Sequence, residues 1–119
     1  MSIFDEELAG LKEKVLKMGA MVESAIKDSV RALVDRDNEL AGNVIERDHR
    51  INALDVEIDE ECIRLIAIRQ PRAGDLRFIT TAMKITTDLE RMGDQAVNIA
   101  ERALELNKEP ILKFLQEKF

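Results

Sequence analysis

Three runs of roughly thirty residues carry apolar side chains at alternating spacings of three and four, and only two short polar breaks divide them. That period matches the α-helix and the seam of packed helices; a half-buried strand would alternate every second residue. In the first run the row is Leu8, Leu11, Val15, Met18, Val22, Ala25, Ser29 and Ala32. In the second, one frame reads Ala41, Val44, Asp48, Ile51, Asp55, Ile58, Cys62 and Leu65, with Leu40, Leu54 and Ile68 beside it. The third offers two rows. One is Phe78, Ala82, Ile85, Leu89, Met92, Ala96, Ile99, Ala103 and Leu106, expected as the main seam. The other is Ile79, Met83, Thr86, Glu90, Gly93, Val97, Ala100 and Leu104, expected to face a second neighbour.

The breaks carry stop and start signals. Ser2 suits an N-cap, with Asp5 in the first turn where the helix dipole favours a negative charge. Asp35-Arg36-Asp37-Asn38 supplies a turn with further caps. Gln70-Pro71 ends the second helix, because proline lacks a donor and disfavours helical geometry in the residue before it. Asp75 is the expected cap of the third helix, and Pro110 opens a short apolar segment that includes Ile111, Leu112, Phe114, Leu115 and Phe119. Short links force neighbouring helices antiparallel. The expectation is an all-α, antiparallel up-down-up three-helix bundle over residues 1–109. Residues 110–119 read as the start of a further helix, cut short.

Composition narrows the function. The chain has 119 residues, with 35% charged and 3% aromatic. A net charge of −6 opposes general nucleic-acid binding, which needs a basic face. One cysteine, Cys62, rules out a disulfide within the chain and suits a reducing compartment. No apolar run is long enough for a membrane span and no secretory leader is evident, so the expected location is the cytoplasm, without direct membrane insertion.

The acids on the packing rows stand out. Counting away from the break near residues 72–73 sets Asp55 level with Glu90, and Ile51 with Asp94. The Asp55–Glu90 level lies about 26 Å from the turn at 1.5 Å per residue. Asp55/Asp59 and Glu90/Asp94 are then two acid pairs, each spaced by one turn, on neighbouring helices. Ionised carboxylates so placed raise one another's pKa, and a bound cation relieves the conflict. All-oxygen ligands favour hard ions such as Mg²⁺, Ca²⁺, Mn²⁺ or ferric iron. The plainer alternative is surface acids paired with Arg47, Arg50, Arg91 or Arg102. Elsewhere Glu13/Lys17, Glu46/Arg50 and Glu60/Arg64 have the spacing of ordinary surface ion pairs.

Asp88-Leu-Glu-Arg-Met-Gly-Asp-Gln-Ala-Val-Asn-Ile-Ala-Glu101 closely resembles the central motif of the PhoU family of phosphate-uptake regulators. So does Ile58-Asp-Glu-Glu-Cys-Ile-Arg-Leu-Ile-Ala-Ile-Arg-Gln-Pro-Arg-Ala-Gly-Asp-Leu-Arg77, and Lys17-Met-Gly-Ala-Met-Val-Glu23 is similar to the family's first helix. The resemblance implies a three-helix repeat and a multinuclear iron or zinc cluster on Asp55, Asp59, Glu90 and Asp94, with Asp48 and Asn98 as weaker candidates. It also implies a non-enzymatic negative regulator of phosphate transport and of the phosphate regulon. Such a protein acts by contact with the ATP-binding subunit of the phosphate ABC transporter and with a sensor histidine kinase. Family members usually carry two bundles in about twice this length, and a single bundle would expose apolar surface that drives homo-oligomer formation.

His49, the only histidine, leaves a second reading open: a histidine phosphotransfer module. Cys62 and Met18, Met21, Met83 and Met92 are expected in the core. A carboxylate-bridged di-iron oxidase would want Glu-x-x-His pairs, which one histidine cannot supply.

Overall fold

A computed structural model describes residues 2–118, apart from the side chain of Phe114. Phe119 and that side chain, both in the expected C-terminal apolar segment, lie outside the described residues. Helix α1 spans Ile3–Val34, α2 Asn38–Arg69, α3 Ala73–Leu106 and α4 Ile111–Lys118. The first three pack side by side in up-down-up order, each against the other two, in a rod of 61 × 24 × 16 Å. No helix among the described residues is long and apolar enough to cross a membrane.

The starts and stops follow local chemistry. The Ser2 hydroxyl accepts from the Asp5 amide, and the Asp5 carboxylate accepts from the Ser2 amide, closing a reciprocal cap. Asp37 caps α2 by accepting from the Leu40 amide. Gln70 ends α2 in the left-handed region at φ 46°. Helix α3 begins earlier than expected: Arg72 is its cap residue and makes no side-chain bond, while Asp75 lies inside the first turn. Arg72 is extended, at φ −109° and ψ 153°, and Ala73 turns at φ 35°, so the chain reverses into the helix before it reaches Asp75.

The α1 row is the core face almost as read. Leu11, Met18, Val22, Ala25, Ser29 and Ala32 are buried, and Leu8 and Val15 partly so. On α2 every member of the frame is buried except Asp48 and Asp55, which are half-buried, and Ile68 is exposed. Burying the Ser29 and Thr86 hydroxyls leaves no loose donor, because each bonds a carbonyl of its own helix.

Helix α3 differs from the expected seam. Its inner face is Ile79, Ala82, Thr86, Gly93, Ala96, Ala100 and Ala103, drawn from both rows. Phe78, Ile85 and Met92 are left 38%, 42% and 46% exposed, so Met92 is no core filler. Small side chains let α3 settle between the larger residues of α1 and α2, whereas bulky ones at the centre would hold it away.

Each end of the bundle is tied. Glu7 of α1 accepts from both Arg64 and Arg69 at the end of α2. These guanidiniums, Arg64 first, hold the Glu7 carboxyl below its ordinary value. Arg64 also bonds Glu61; the expected pairing with Glu60 is replaced because Glu61 turns toward α1 while Glu60 faces solvent. At the other end Arg36, in the α1–α2 turn, donates to the carbonyls of Leu106 and Glu109, and Asn107 donates to Asn38. The described apolar side chains of α4 are exposed.

Candidate functional site

Helix α2 presents two different flanks. Toward α3 lie Asp48, Asn52, Asp55 and Asp59; toward α1 lie Arg47, Arg50, Leu54 and Glu61, as the helical period dictates. The acidic flank meets Glu90 and Asp94 of α3. Glu90 is the centre of the cluster. Its carboxyl is held above the ordinary value chiefly by the charge of Asp55, then by a hydrogen bond with Asp55, then by partial desolvation, and last by Asp94 and Asp48. The level-matching of Asp55 with Glu90 is thereby met.

The four groups drawn together are Asp48, Asp55, Glu90 and Asp94. Asp48 enters through Gly93. A Cβ at that glycine would lie 3.6 Å from Asp48 Oδ1 and 3.7 Å from Ile51 Cγ2, so α3 passes close over this carboxylate. Asn52 donates to the other oxygen of Asp48 at 3.2 Å. Asp59 stands apart from Glu90. It lies one turn nearer the α2–α3 break, level with Thr86 rather than with an acid, and its charge instead helps raise Cys62. Asn98 is exposed.

The donor set suits a hard cation in kind, being anionic, all-oxygen and half-open. Among the described residues no three His, Cys, Asp or Glu side chains stand, as placed, where one ion could hold them together. What the groove does hold is like charge at short range, expressed as the raised Glu90 carboxyl. A cation between Asp55 and Glu90 would remove the cause of that shift.

The cationic alternatives go elsewhere. Arg47 turns away from the acids to Asp28 and Ser24 of α1, and Arg102 bonds Glu105. His49 is exposed on α2. Cys62 is buried, and desolvation, followed by the charges of Asp59 and Glu61, pushes its thiol to about 11. Sequence reasoning ranked Asp48 below Asp59; the signal that favours Asp48 is the glycine facing it on α3.

A second concavity runs between α1 and α3. Its volume is about 460 Å³, and Val15, Leu16, Phe78, Ala82 and Ile85 line it with Lys12 and Arg77 alongside. Phe78 and Ile85 form its exposed edge, and Met92, seven residues beyond Ile85, continues the exposed row outside the concavity.

Comparison with known proteins concerns the chain as a whole. The PhoU domain matches residues 15–103. A phosphate-specific transport system accessory protein PhoU homolog from Aquifex aeolicus is 51% identical over 113 residues, covering 95% of this chain and 51% of that protein. The Escherichia coli K12 accessory protein PhoU is 44% identical over 102 residues, covering 86% of this chain and 42% of that protein. The crystal structure of PhoU from Pseudomonas aeruginosa superposes with a TM-score of 0.86 at 46% identity, covering 88% of this chain and 50% of the other. The chain therefore spans about half the length of the curated relatives it matches. A domain match across most of the bundle, joined to this identity and superposition, shows that the chain belongs to the PhoU family.

Proposed function

We propose that the chain is a negative regulator of phosphate transport and phosphate-regulon signalling that works by protein contact, without catalysis. The observation that carries this is the exposed row Phe78, Ile85 and Met92 beside the apolar α1–α3 groove. A row of that kind on a charged rod favours a protein partner. Kinship supplies the system: the relatives are named accessory proteins of phosphate-specific transport. The occupant is the ATP-binding subunit of the phosphate ABC transporter, and the sensor histidine kinase reads the resulting complex. In the absence of that partner a second copy of the chain covers the same row, giving a homodimer. The location that fits these partners is the cytoplasm.

The cation site is part of this proposal. Asp55, Asp59, Glu90 and Asp94 are its ligands, with Asp48 drawn in by the close approach at Gly93. Asp59, one turn away, suits a multinuclear iron or zinc cluster better than a single ion. The bound cation would supply charge neutralisation, stiffening α2 against α3. Elemental analysis of purified protein tests it: metal content should fall in Asp55→Ala and Glu90→Ala, and equal content in all three chains would remove the site.

The contact function is tested by pull-down of the transporter ATP-binding subunit and the sensor kinase. Ile85→Asp should abolish capture of the ATP-binding subunit and leave the circular dichroism spectrum unchanged. Capture unaffected by Ile85→Asp would move the contact off this face; no capture by the parent chain would sink the function. Incubation with a phosphorylated response regulator addresses the phosphotransfer alternative, since label on His49 would replace the regulatory reading.

A further inference from the structure

On the flank of α2 opposite the acids, Lys17, Ala20, Met21 and Ser24 of α1 face Arg47, Arg50 and Ile51 of α2 across a groove of about 310 Å³. It continues along the same seam past Ala53 and Leu54, with Lys17, Met21 and Arg50 shared by both stretches. The spacing of Glu13/Lys17 and Glu46/Arg50 predicts two surface ion pairs. Neither forms: among the described residues Lys17 and Arg50 make no ion pair and no hydrogen bond, and both border the groove instead. Arg47 is only partly used. Its Nη atoms bond Ser24 at 3.3 Å and Asp28 at 2.7 Å, while its Nε is buried without an acceptor. In a chain of net charge −6, this groove holds three cations against two carboxylates at its margins, each already bonded elsewhere: Asp28 to Arg47 and Glu57 to Lys14.

We infer that this α1–α2 groove binds a phosphate group. Lys17 and Arg50 supply the uncompensated charge, Ser24 a hydroxyl donor, and Arg47 a fixed guanidinium in the wall. The floor of Ala20, Met21 and Ile51 accepts a small apolar or planar body. The volume sits at the low end of the range for small-molecule sites, roughly 300–1,000 Å³. The ligand is thus inorganic phosphate or a small organic phosphate, which share the same anchoring chemistry. This inference stands on the groove and does not depend on the regulatory reading.

Calorimetric titration of the full chain with inorganic phosphate, adenosine 5′-monophosphate and adenosine is the test. Both phosphate-bearing probes should bind and adenosine should not. Lys17→Gln with Arg50→Gln should weaken both by roughly ten-fold or more, the scale of losing charged hydrogen bonds. The Lys84→Gln, Arg91→Gln pair on the outer face of α3 should bind like the parent chain. Tighter binding of the monophosphate identifies an organic phosphate, and equal binding identifies the bare ion. Amide shifts on adding phosphate should centre on residues 17–24 and 47–54, which locates the site without a substitution. No binding of either phosphate probe, shifts centred elsewhere, or a Lys17/Arg50 variant that binds unchanged would overturn the inference.

Discussion

Glu90 of α3 and Asp55 of α2 meet carboxyl to carboxyl across the seam, and the encounter holds Glu90 above its ordinary value of 4.5. Between 4.5 and the raised value the folded chain keeps a proton that the unfolded chain has released. Stability from this pair therefore falls as pH rises through that interval, and above it the repulsion acts in full. Glu90→Gln removes the charge and keeps a donor for Asp55. In chelator-treated buffer it should stabilise the fold at pH 7 by about 0.5 kcal/mol, a small figure because an open groove is screened. At pH 4 the gain should vanish. Urea titrations at both pH values check this. A variant less stable than the parent at pH 7 would mean that the two carboxyls are not in conflict.

Gly93 lies where α3 crosses Asp48, and the close approach does not demand glycine. An added Cβ would make ordinary contacts, at 3.6 Å with Asp48 Oδ1, 3.7 Å with Ile51 and 3.9 Å with Val22. Glycine inside a helix costs about 0.5–1 kcal/mol relative to alanine. Gly93→Ala should therefore raise stability by about that amount. Gly93→Leu should lower it by about 1–3 kcal/mol, as expected for overpacking, and push Asp48 aside. Thermal unfolding of the two variants separates space from propensity. Loss of stability in the alanine variant would show that the seam is tighter than these distances.

Cys62 carries no exposed surface and its thiol is held at about 11. The thiolate is the nucleophile, so near pH 8 almost none is present and what is present is covered. Ellman's reagent should label the native chain only at the rate of unfolding, and labelling should be fast in 6 M urea, a denaturing concentration of the usual order. Rapid native labelling would place the thiol at a seam that opens.

The parts of the fold read from periodicity are those in which large apolar residues set the packing, as at Leu11, Met18 and Val22 or at Val44, Ile51 and Ile58. On α3 the same habit misleads, because its contact face is built from Ala82, Gly93, Ala96 and Ala100 while Phe78 and Ile85 stay at the edge. Hydrophobic size marks a buried face only when the helices are not in close approach. The pairing of Asp55 with Glu90 was legible, since it needs only helix rise and a short link. The place of Asp48 was harder, because it depends on what a glycine across the seam allows. The choice of Glu61 over Glu60 by Arg64 turns on which neighbour Glu7 offers from α1, and a pattern within one helix does not contain that.

Arg36 ties the far end of the bundle at a backbone cost. It sits at φ 55°, a conformation that costs a residue with a Cβ about 1–2 kcal/mol. From there its guanidinium reaches the carbonyls of Leu106 and Glu109, at 3.4 and 2.7 Å. The last turn of α3 has no basic residue of its own, so this arginine supplies the charge that its dipole favours. Arg36→Ala keeps the strained backbone and loses both bonds, and should destabilise by about 1–2 kcal/mol. Arg36→Gly loses the same bonds but relieves the backbone, and should be more stable than the alanine variant by about 1 kcal/mol. In both, amide exchange should quicken at Ala103 through Leu106, whose carbonyl end is then held only by the backbone amides of Asn107, Lys108 and Glu109, while Gly93 to Ala96 stays protected. Equal stability of the alanine variant and the parent would show that the guanidinium contributes nothing to closing this end. Equal stability of the alanine and glycine variants would show that the left-handed turn is held without strain.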